Sequence, residues 1–456
     1  MSLYDLAIYK NGPPWLQEAA IALFSLARKK LREGSRFDEI LGETKQTQWL
    51  TSAQLRELQQ ARTFAILSHA QRNVPYYRHL FAQHGIHTDM MRDLADVSTI
   101  PLLTKQQVMK AGKSMLADGG WKMRFRGGTS GTTGLSLIGY RDMEAISHEN
   151  AFLWRQFEWA GFQRGQKRAW IRGDVIVPVA QHHPPFWRMN RSDNMLMMSS
   201  FHLSEKNALT YIQALERFDP VMIQAYPSSI AFLARFLEAA GKKYEGHNLK
   251  SIVTTSEMLG EDQRRIIEST MGCRVFDWYG SYERVAAIGT CEHGRYHLLT
   301  DYSYVELLPQ HDGTAEIVAT GFFNKLMPLV RYQIGDHVVP GGRHETCSCG
   351  RAFPVIEKIL GRVDDYIVTP DGRQIGMMAM MFDGLDSLIE GQVVQEDKDT
   401  LRILVVPAHK LQSKEIQDIE ARARALVGPE MAINVEPVGE VERTRTGKVR
   451  MVVRKI

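Results

Sequence analysis

Apolar and polar positions follow two different periods along the chain, and the change of period predicts the secondary structure. Residues 1–75 mix charged and apolar residues at helical spacing, with few chain breakers after Pro14, so this part is predicted to be helical. From about residue 165, short β-rich runs alternate with helical stretches. The predicted strands are VMIQAY (221–226), SIVTTS (251–256) and RVFDWYG (274–280), and the predicted helices are SSIAFLARFLEAAG (228–241) and GEDQRRIIESTMG (260–272).

This alternation predicts an α/β fold in which parallel strands are joined by crossover helices. Ligands of such sheets bind beyond the carboxyl ends of the strands. Tyr226, the pair Ser256–Glu257 and the segment 279–283 stand at these ends, so we expect them to border one crevice.

A second pattern begins near GRVDDYIVTPDGRQI (361–375) and contains two strands around one helix. The strands are LRILVVP (401–407) and INVEPV (433–438), and the helix covers about 412–427. We therefore predict a large domain over 1–360, a hinge at 361–365 and a small α+β domain over 366–456.

The composition excludes several classes of protein. The chain has 456 residues, which is too many for a single core, and its 44% hydrophobic and 24% charged residues are typical of a globular protein. A net charge of +4 does not favour nucleic acid as a partner, and no apolar run reaches the ~20 residues of a membrane span. Four cysteines are too few for a disulfide framework, so we expect a cytoplasmic protein.

The stretch RGGTSGTTGLSL (126–137) has the composition of a phosphate-binding loop. Glycines let backbone N–H groups converge on an anion, and hydroxyls add further donors. A flexible surface turn has the same composition, and the G-x-x-x-x-G-K-S/T pattern of P-loop NTPases is absent. The loop by itself leaves both interpretations open.

Four further motifs follow this loop in order: DWYGSYE (277–283), RYQIGD (331–336), GRVDD (361–365) and RTRTGK (443–448). Together they resemble the adenylate-forming superfamily of acyl-CoA synthetases, adenylation domains and luciferases. The resemblance covers the chain from about residue 70 to its end. It is closest to the phenylacetate–CoA ligase family, in the branch associated with capsular polysaccharide genes. It implies an ATP- and Mg²⁺-dependent enzyme with a mobile C-terminal domain, which makes an acyl-adenylate and passes the acyl group to coenzyme A.

The resemblance implies roles for individual nucleotide-binding residues. The loop that holds the departing phosphates in this superfamily corresponds to Thr129, Ser130, Gly131, Thr132, Thr133 and Gly134. The next position, where a lysine is common, is Leu135. Tyr279 resembles the aromatic residue that stacks on adenine, with Gly280 and Ser281 beside it, and Glu283 resembles the magnesium ligand.

Further roles follow from the later motifs. Asp336 resembles the aspartate that accepts from both ribose hydroxyls, and Arg362 resembles a nucleotide-contacting arginine. Asp364 matches the hinge. Lys448 matches the mobile catalytic lysine, whose cation would offset charge that develops at the α-phosphate.

The acyl side is less defined by the sequence. Phe201 or His202 stands where the superfamily keeps an aromatic residue at the acyl pocket, although His202 also fits a structural role. Tyr226 is expected to line the substrate pocket, and Ser256 and Glu257 are expected to border the nucleotide.

The cysteines form a separate group of candidate metal ligands. Zinc takes four nitrogen or sulfur ligands in a tetrahedron, and Cys291, Cys347, Cys349 and one histidine would supply them. His297 is the preferred histidine because His293 is only two residues from Cys291, but His293 stays open. Such a zinc would be structural, since protein fills all four positions. Reduced cysteines with a solvated histidine are the alternative.

Two alternative functions remain. The acceptor could be a carrier-protein thiol or an amine in polysaccharide or secondary-metabolite biosynthesis instead of coenzyme A. The chain could also be a catalytically silent protein that binds acyl groups or nucleotides, although Glu283, Asp336 and Lys448 together argue against this. The expected partners are small molecules, without nucleic acid or a membrane span, and a homodimer is compatible with the sequence.

Overall fold

The computed structural model describes most of the chain. The described residues are 3–34, 36–119, 125–128, 138–178, 180–342, 345–362, 367–370, 374–375, 378–382, 385, 388–407, 410–428, 430–443 and 449–456. The predictions for Thr129, Ser130, Gly131, Thr132, Thr133, Gly134, Asp364 and Lys448 lie outside these residues, as does the side chain of Arg362.

The helices within the described residues are α1 (Ala7–Lys10), α2 (Pro14–Arg32), α3 (Phe37–Thr47), α4 (Ser52–Asn73), α5 (Pro75–Gln83), α6 (Lys105–Ala111), α7 (Met143–Trp159), α8 (Glu205–Phe218), α9 (Pro227–Ala239), α10 (Glu261–Met271) and α11 (Ser413–Val427). Among these residues no helix combines the length and the apolar character that crossing a bilayer requires.

The strands within the described residues are β1 (Phe125–Gly128), β2 (Ile138–Arg141), β3 (Arg168–Arg172), β4 (Trp187–Asn190), β5 (Met195–Ser199), β6 (Met222–Ala225), β7 (Ser251–Thr255), β8 (Arg274–Gly280), β9 (Ala287–Thr290), β10 (Tyr296–Leu298), β11 (Ser303–Pro309), β12 (Ala315–Gly321), β13 (Tyr332–Pro340), β14 (Val355–Arg362), β15 (Ile367–Val368), β16 (Gln374–Ile375), β17 (Leu388–Gln395), β18 (Thr400–Pro407), β19 (Ala432–Pro437) and β20 (Val452–Arg454).

Packing divides the chain into two units, each assembled from separate segments. The first unit consists of Met1–Ala27, Ala160–Asp277 and Arg362–Ile456, and the second consists of Arg28–Trp159 and Trp278–Gly361. One of the points at which the chain passes from one unit to the other, between Gly361 and Arg362, lies at the start of the predicted hinge. This division does not isolate 366–456 as a unit, and the predicted domain boundaries stay a prediction.

The first unit contains the parallel sheet that the sequence pattern predicts. Strand β3 lies between β5 and β6 and is parallel to both, β6 is parallel to β7, and β4 runs antiparallel to β5. Helices α8, α9 and α10 connect the strands and bury residues such as Ile230 and Leu233 against Ile223 and Ile252. The predicted α/β fold is confirmed.

A four-stranded sheet of the order β19-β18-β17-β20 forms the C-terminal part of the first unit. Helix α11 packs on it, with Ile419 and Ala423 in a core that includes Val393 and Ile403. Val406 belongs instead to the core around α9. The predicted helix and both predicted strands are present within one or two residues of their predicted bounds.

The second unit is built mainly from antiparallel strands. Strands β11, β12 and β13 form a meander, and β10 lies between β9 and β14. Residues of α4, such as Leu67 and Ala70, pack with Ile317 and Val330 in its core. The sequence analysis predicted none of the strands β9 to β14, some of which pair with segments distant in sequence, as β10 does with β14.

Candidate functional site

Two predicted nucleotide-binding acids lie in the second unit, and tyrosine hydroxyls contact both. The Tyr279 hydroxyl, at the end of β8, donates to Asp336 Oδ2 at 2.6 Å, and the Tyr332 hydroxyl donates to Glu283 Oε1 at 3.2 Å. Tyr332 and Asp336 are both buried positions of β13, so both contacts border the same strand. The structure thus places Tyr279, Glu283 and Asp336 on or beside the same strand, and we refer to these three residues as one group.

The carboxylate of Glu283 is buried, and only one of its two oxygens has a hydrogen-bond partner among the described residues. Glu283 and Asp336 are each 8% exposed. Among the described residues, Glu283 Oε2 has no hydrogen-bond partner. A buried carboxylate oxygen without a partner is unfavourable, and a hard cation such as Mg²⁺ would satisfy it. The residues present therefore fit the predicted magnesium ion.

A tight turn after β8 places Glu283. The N–H of Arg284 donates to Ser281 O at 3.0 Å, and the N–H of Val285 donates to Ser281 Oγ at 3.3 Å. Arg284 has a left-handed φ of 58°. At Gly280 a Cβ would lie 3.1 Å from Trp278 Nε1, so a larger residue would crowd the strand end. Ser281 therefore shapes the turn, and its predicted nucleotide contact, like that of Gly280, stays a prediction.

In the first unit, the carboxyl ends of β3, β6 and β7 meet. Arg172 donates to Ser256 Oγ at 2.9 Å, and its guanidinium lies 5.4 Å from the centre of the Tyr226 ring. Ser256 has a φ of 74°, a strained conformation that is frequent at functional sites. The sequence analysis identified Tyr226 and Ser256 but not Arg172, which belongs to no motif and is the last residue of β3, a strand that was not predicted.

The two candidates for the acyl pocket lie in the short 3₁₀ helix Ser200–His202 after β5. His202 Nδ1 lies 2.8 Å from Ser199 Oγ, and its ring stacks on Phe186 at 4.8 Å between centres. These contacts fit the structural alternative for His202, while Phe201 is only half-buried. The pocket role of both residues stays a prediction.

Glu257 makes two contacts with backbone N–H groups. Its Oε2 accepts from the N–H of Ser228 at 3.1 Å, and its Oε1 accepts from the N–H of Val449 at 3.3 Å. Burial raises the pKa of Glu257, and the hydrogen bonds with Ser228 and the charge of Arg443 act in the opposite direction. The predicted nucleotide contact of Glu257 is not visible in these contacts and stays a prediction.

The four predicted metal ligands of the second unit lie together. One ligand atom from each of Cys291, His297, Cys347 and Cys349 lies within 4.8 Å of all the others. The Cys291 and Cys347 sulfurs are 3.7 Å apart, and Cys349 Sγ is 3.4 Å from His297 Nε2. Neighbouring ligands of a tetrahedral zinc lie about 3.5–3.8 Å apart, so this donor set fits the ion.

The surroundings of His297 favour the neutral tautomer whose Nε2 can bind a metal. Its Nδ1 lies 3.1 Å from the carbonyl oxygen of Phe353, which can only accept, so Nδ1 carries the proton and Nε2 is left to bind a metal. Burial lowers the pKa of His297, which favours the neutral ring. Burial also raises the pKa of the Cys291 thiol to about 12, so a metal would have to displace its proton. His293, the open alternative, is exposed.

Arg351 fixes the loop that carries Cys347 and Cys349. Its guanidinium forms a bidentate ion pair with Glu292 at 2.6 and 2.7 Å. It also donates to Gln48 Oε1 at 3.0 Å and stacks on Trp159 at 4.0 Å from the ring centre. Trp159 Nε1 donates to the same Gln48 oxygen at 2.7 Å. The candidate metal centre is thus tied to the residue that follows α3.

Comparisons with known proteins agree with this structure. The family of the CapK C-terminal domain matches residues 367–455. Protein CapK of Staphylococcus aureus is 25% identical over 98% of this chain and 99% of its own length. Phenylacetate-coenzyme A ligase of Escherichia coli (strain K12) is 26% identical over 69% of this chain and 72% of its own length.

Among solved structures, a 2-hydroxyisobutyryl-CoA ligase in the postadenylation state, in complex with R3-HIB-AMP, matches with a TM-score of 0.68 at 15% identity. The match covers 90% of this chain and 92% of that chain. These likenesses confirm the resemblance and the α/β fold that the sequence predicts. The relatives that are named CoA ligases also confirm the predicted enzyme class, which is ligase-like.

Proposed function

We propose that this chain, a homologue of CapK and of the phenylacetate–CoA ligases with the fold of the adenylate-forming ligases, activates a carboxylic acid with ATP. In this reaction a carboxylate oxygen of the acid attacks the α-phosphorus of ATP. The bond from the α-phosphorus to the bridging oxygen breaks, and pyrophosphate leaves with the bonding electrons. The product is an acyl-adenylate.

The observation that carries the proposal is the group formed by Tyr279, Glu283 and Asp336. It offers two buried carboxylates, one held by the Tyr279 hydroxyl and one with an unsatisfied oxygen. Glu283 would hold Mg²⁺, which when bound neutralises charge on the phosphates. Asp336 would accept from the ribose hydroxyls, because a carboxylate has two oxygens for a vicinal diol.

The remaining nucleotide contacts are proposed from the sequence motifs. The segment 129–134 would hold the departing phosphates, and Arg362 would contact the nucleotide. Lys448 would stabilise charge at the α-phosphate during the reaction.

The acyl group is proposed to pass to the thiol of coenzyme A, which attacks the acyl carbon and releases AMP. The named relatives that are CoA ligases support this acceptor. A carrier-protein thiol or an amine would require the same adenylate and a different second step, so the two acceptors are separated by experiment.

For the cluster of Cys291, His297, Cys347 and Cys349 we propose a structural zinc ion. Its support is the mutual distance of the four ligand atoms and the protonation of His297 at Nδ1. Because four protein ligands complete the tetrahedron, no position is left for a substrate.

The experiment that tests the proposed function measures pyrophosphate release from ATP with a panel of aryl, fatty and amino acids, with and without coenzyme A. We expect release that depends on one class of acid, and a thioester when coenzyme A is present. Adenylate without thioester would indicate another acceptor. Absence of release with every acid would favour a silent binding protein.

Lys448 allows a second test of the same reaction. Lys448→Ala is expected to slow adenylation about 100-fold while ATP affinity changes little, because the cation acts mainly in the transition state. Single-turnover adenylate formation and equilibrium ATP binding measure the two effects. Lys455→Ala, which removes another cation from the same tail, is the control and should retain both. Equal losses of affinity and rate in Lys448→Ala would contradict the assigned role.

A further inference from the structure

The base of the segment 444–448, which ends at Lys448, is held by residues on both sides. Arg443 and Val449 pair in an isolated antiparallel bridge. The side-chain amide of Gln392, on β17, donates to Glu442 O at 3.1 Å and to Arg450 O at 2.9 Å. Glu390, also on β17, forms an ion pair with Arg443. These contacts lie within the C-terminal part of the first unit and would move with it.

Glu257 contacts the same base from a different part of the first unit. It follows β7 of the parallel sheet, and its Oε1 accepts from the N–H of Val449 at 3.3 Å. Its Oε2 accepts from the N–H of Ser228 in the first turn of α9, where the partial positive charge of the helix favours a carboxylate. One side chain therefore joins the parallel sheet and α9 to the residue that follows Lys448.

The placement of Glu257 and Glu390 near each other is not explained by a gain in stability. Burial raises the pKa of both Glu257 and Glu390, and their mutual repulsion adds to that of Glu390. Desolvation of two neighbouring carboxylates opposes the gain from their pairing with Arg443, so these contacts are weak evidence for a role in stability. Residues that oppose stability in this way are often retained for function.

We infer that Glu257 is a positioning residue that docks the base of the Lys448 segment on the parallel-sheet part of the first unit for the adenylation step. The inference rests on the proposed function, since it takes Lys448 to act in that step. Val449 directly follows Lys448 in the chain, so the hydrogen bond at its N–H holds the base of the segment next to the proposed catalytic residue. A misplacement of ~1 Å at a reacting centre can cost about 100-fold in rate.

The two half-reactions separate this role from general stabilisation. In Glu257→Gln an NH₂ group replaces one of the two carboxylate oxygens, so Ser228 and Val449 can no longer each donate to a separate oxygen. With the panel acid of fastest pyrophosphate release, we expect Glu257→Gln to slow adenylation by about 10-fold or more. Thioester formation from the synthetic adenylate of that acid and coenzyme A should stay within about 2-fold, because the docking contact is assigned to adenylation alone.

Glu268→Gln is the matched control for this substitution. Glu268 Oε1 accepts from the N–H of Val275 at 2.9 Å, so it is another carboxylate of the first unit that holds a backbone N–H group, but away from the Lys448 segment. We expect both half-reactions of Glu268→Gln to match the wild type. A parallel loss in Glu257→Gln and Glu268→Gln would reduce Glu257 to a structural residue and overturn the inference.

Hydrogen exchange tests the contact between Glu257 and Val449 without a measurement of enzyme activity. In the wild-type protein the amide of Val449 should exchange at least about 10-fold more slowly than in Glu257→Gln, with a similar thermal midpoint in both proteins. Unchanged exchange, or an equal loss in both half-reactions, would overturn the inference. If the wild type releases no pyrophosphate with any acid, the proposed function fails and the assigned role fails with it, while the exchange result still decides whether the contact exists.

Discussion

Two polar clusters of the second unit differ in whether all their polar atoms have partners within the protein. In the cluster of Cys291, His297, Cys347 and Cys349, every ligand atom faces the other three within 4.8 Å. In the group of Tyr279, Glu283 and Asp336, one carboxylate accepts a tyrosine hydroxyl, while Glu283 Oε2 has no hydrogen-bond partner among the described residues. The first cluster is closed, and the second leaves a charged atom for a ligand.

This difference is the one expected between the proposed structural zinc centre and the proposed reaction site. A structural zinc needs all four positions filled by protein, whereas a site that binds phosphates needs a metal ligand that the protein does not saturate. The residue types already predict different metals, since thiolate and imidazole suit zinc and a carboxylate suits Mg²⁺. The contacts of the individual atoms add which cluster is closed and which has an open ligand atom.

The largest effect is expected when the open oxygen is removed. Glu283→Gln should slow acid-dependent pyrophosphate release by about 100- to 1,000-fold, since loss of one charge-stabilising group has an effect of this size. The thermal midpoint should change little, because the substitution also removes a buried charge. Steady-state pyrophosphate release and a thermal unfolding scan measure the two effects.

Glu316→Gln is the control for that substitution. Glu316 lies on β12 and has Gln333 as a neighbour on β13, outside the candidate site. Its rate should equal that of the wild type. Full activity of Glu283→Gln would show that the open oxygen has no catalytic partner and would remove the distinction between the clusters.

A smaller effect on rate, but a larger one on stability, is expected for the closed cluster. Cys347→Ser should abolish zinc binding and lower the free energy of unfolding by about 3 kcal/mol or more, because the free energy of metal binding contributes to folding. Metal analysis of the purified protein and chemical denaturation measure these changes. The rate per folded molecule should fall by no more than about 3-fold, since the metal has no open position for a substrate.

Cys273→Ser provides the comparison for the closed cluster. Cys273 is the cysteine outside the four-residue cluster, and it packs against the core of the first unit. This variant should bind zinc as the wild type does. Wild-type protein without zinc would refute the structural centre, and retention of zinc by Cys347→Ser would show that Cys347 is not a ligand.

The smallest effect concerns the hydroxyl of Tyr279. Tyr279→Phe keeps the ring and removes the hydrogen bond to Asp336, so we expect the KM for ATP to rise by about 3- to 10-fold, in line with the net value of one hydrogen bond. Initial-rate kinetics with varied ATP measure it.

Tyr304→Phe is the matched variant for Tyr279→Phe. The Tyr304 hydroxyl donates to the carbonyl of Leu94 at 3.2 Å in the same unit, outside the candidate site. Its KM for ATP should match the wild type. An equal rise in both variants would mean that the Tyr279 hydroxyl does not act through Asp336.

The sequence predicted the elements whose pattern is local. Strands β6, β7 and β8 and helices α9 and α10 lie within one or two residues of their predicted ranges, because runs of buried residues and terminal glycines mark them. Strands β9 to β14 were missed. For β10 and β14 one reason is distance, because Tyr296 pairs with Ile356 and no short window of sequence contains both partners.

The same limit applies to the candidate sites. Tyr279, Glu283 and Asp336 stand in recognisable motifs, and the sequence identified all three. Arg172 and Gln392 stand in none, since their contacts are made with Ser256 and with the backbone of Glu442 and Arg450. A side chain whose contacts are made with residues distant in sequence leaves no local signal.

The sequence by itself determined the α/β class of the chain, the positions of its main motifs and the residue types of both polar clusters, because each depends on neighbours along the chain. Only the tertiary structure decided which of these residues meet. It placed His297 in the buried strand β10 and left His293 exposed in the preceding turn. It also brought Glu257 to the N–H of Val449, because pairing across long separations depends on the packing of the whole unit and not on local pattern.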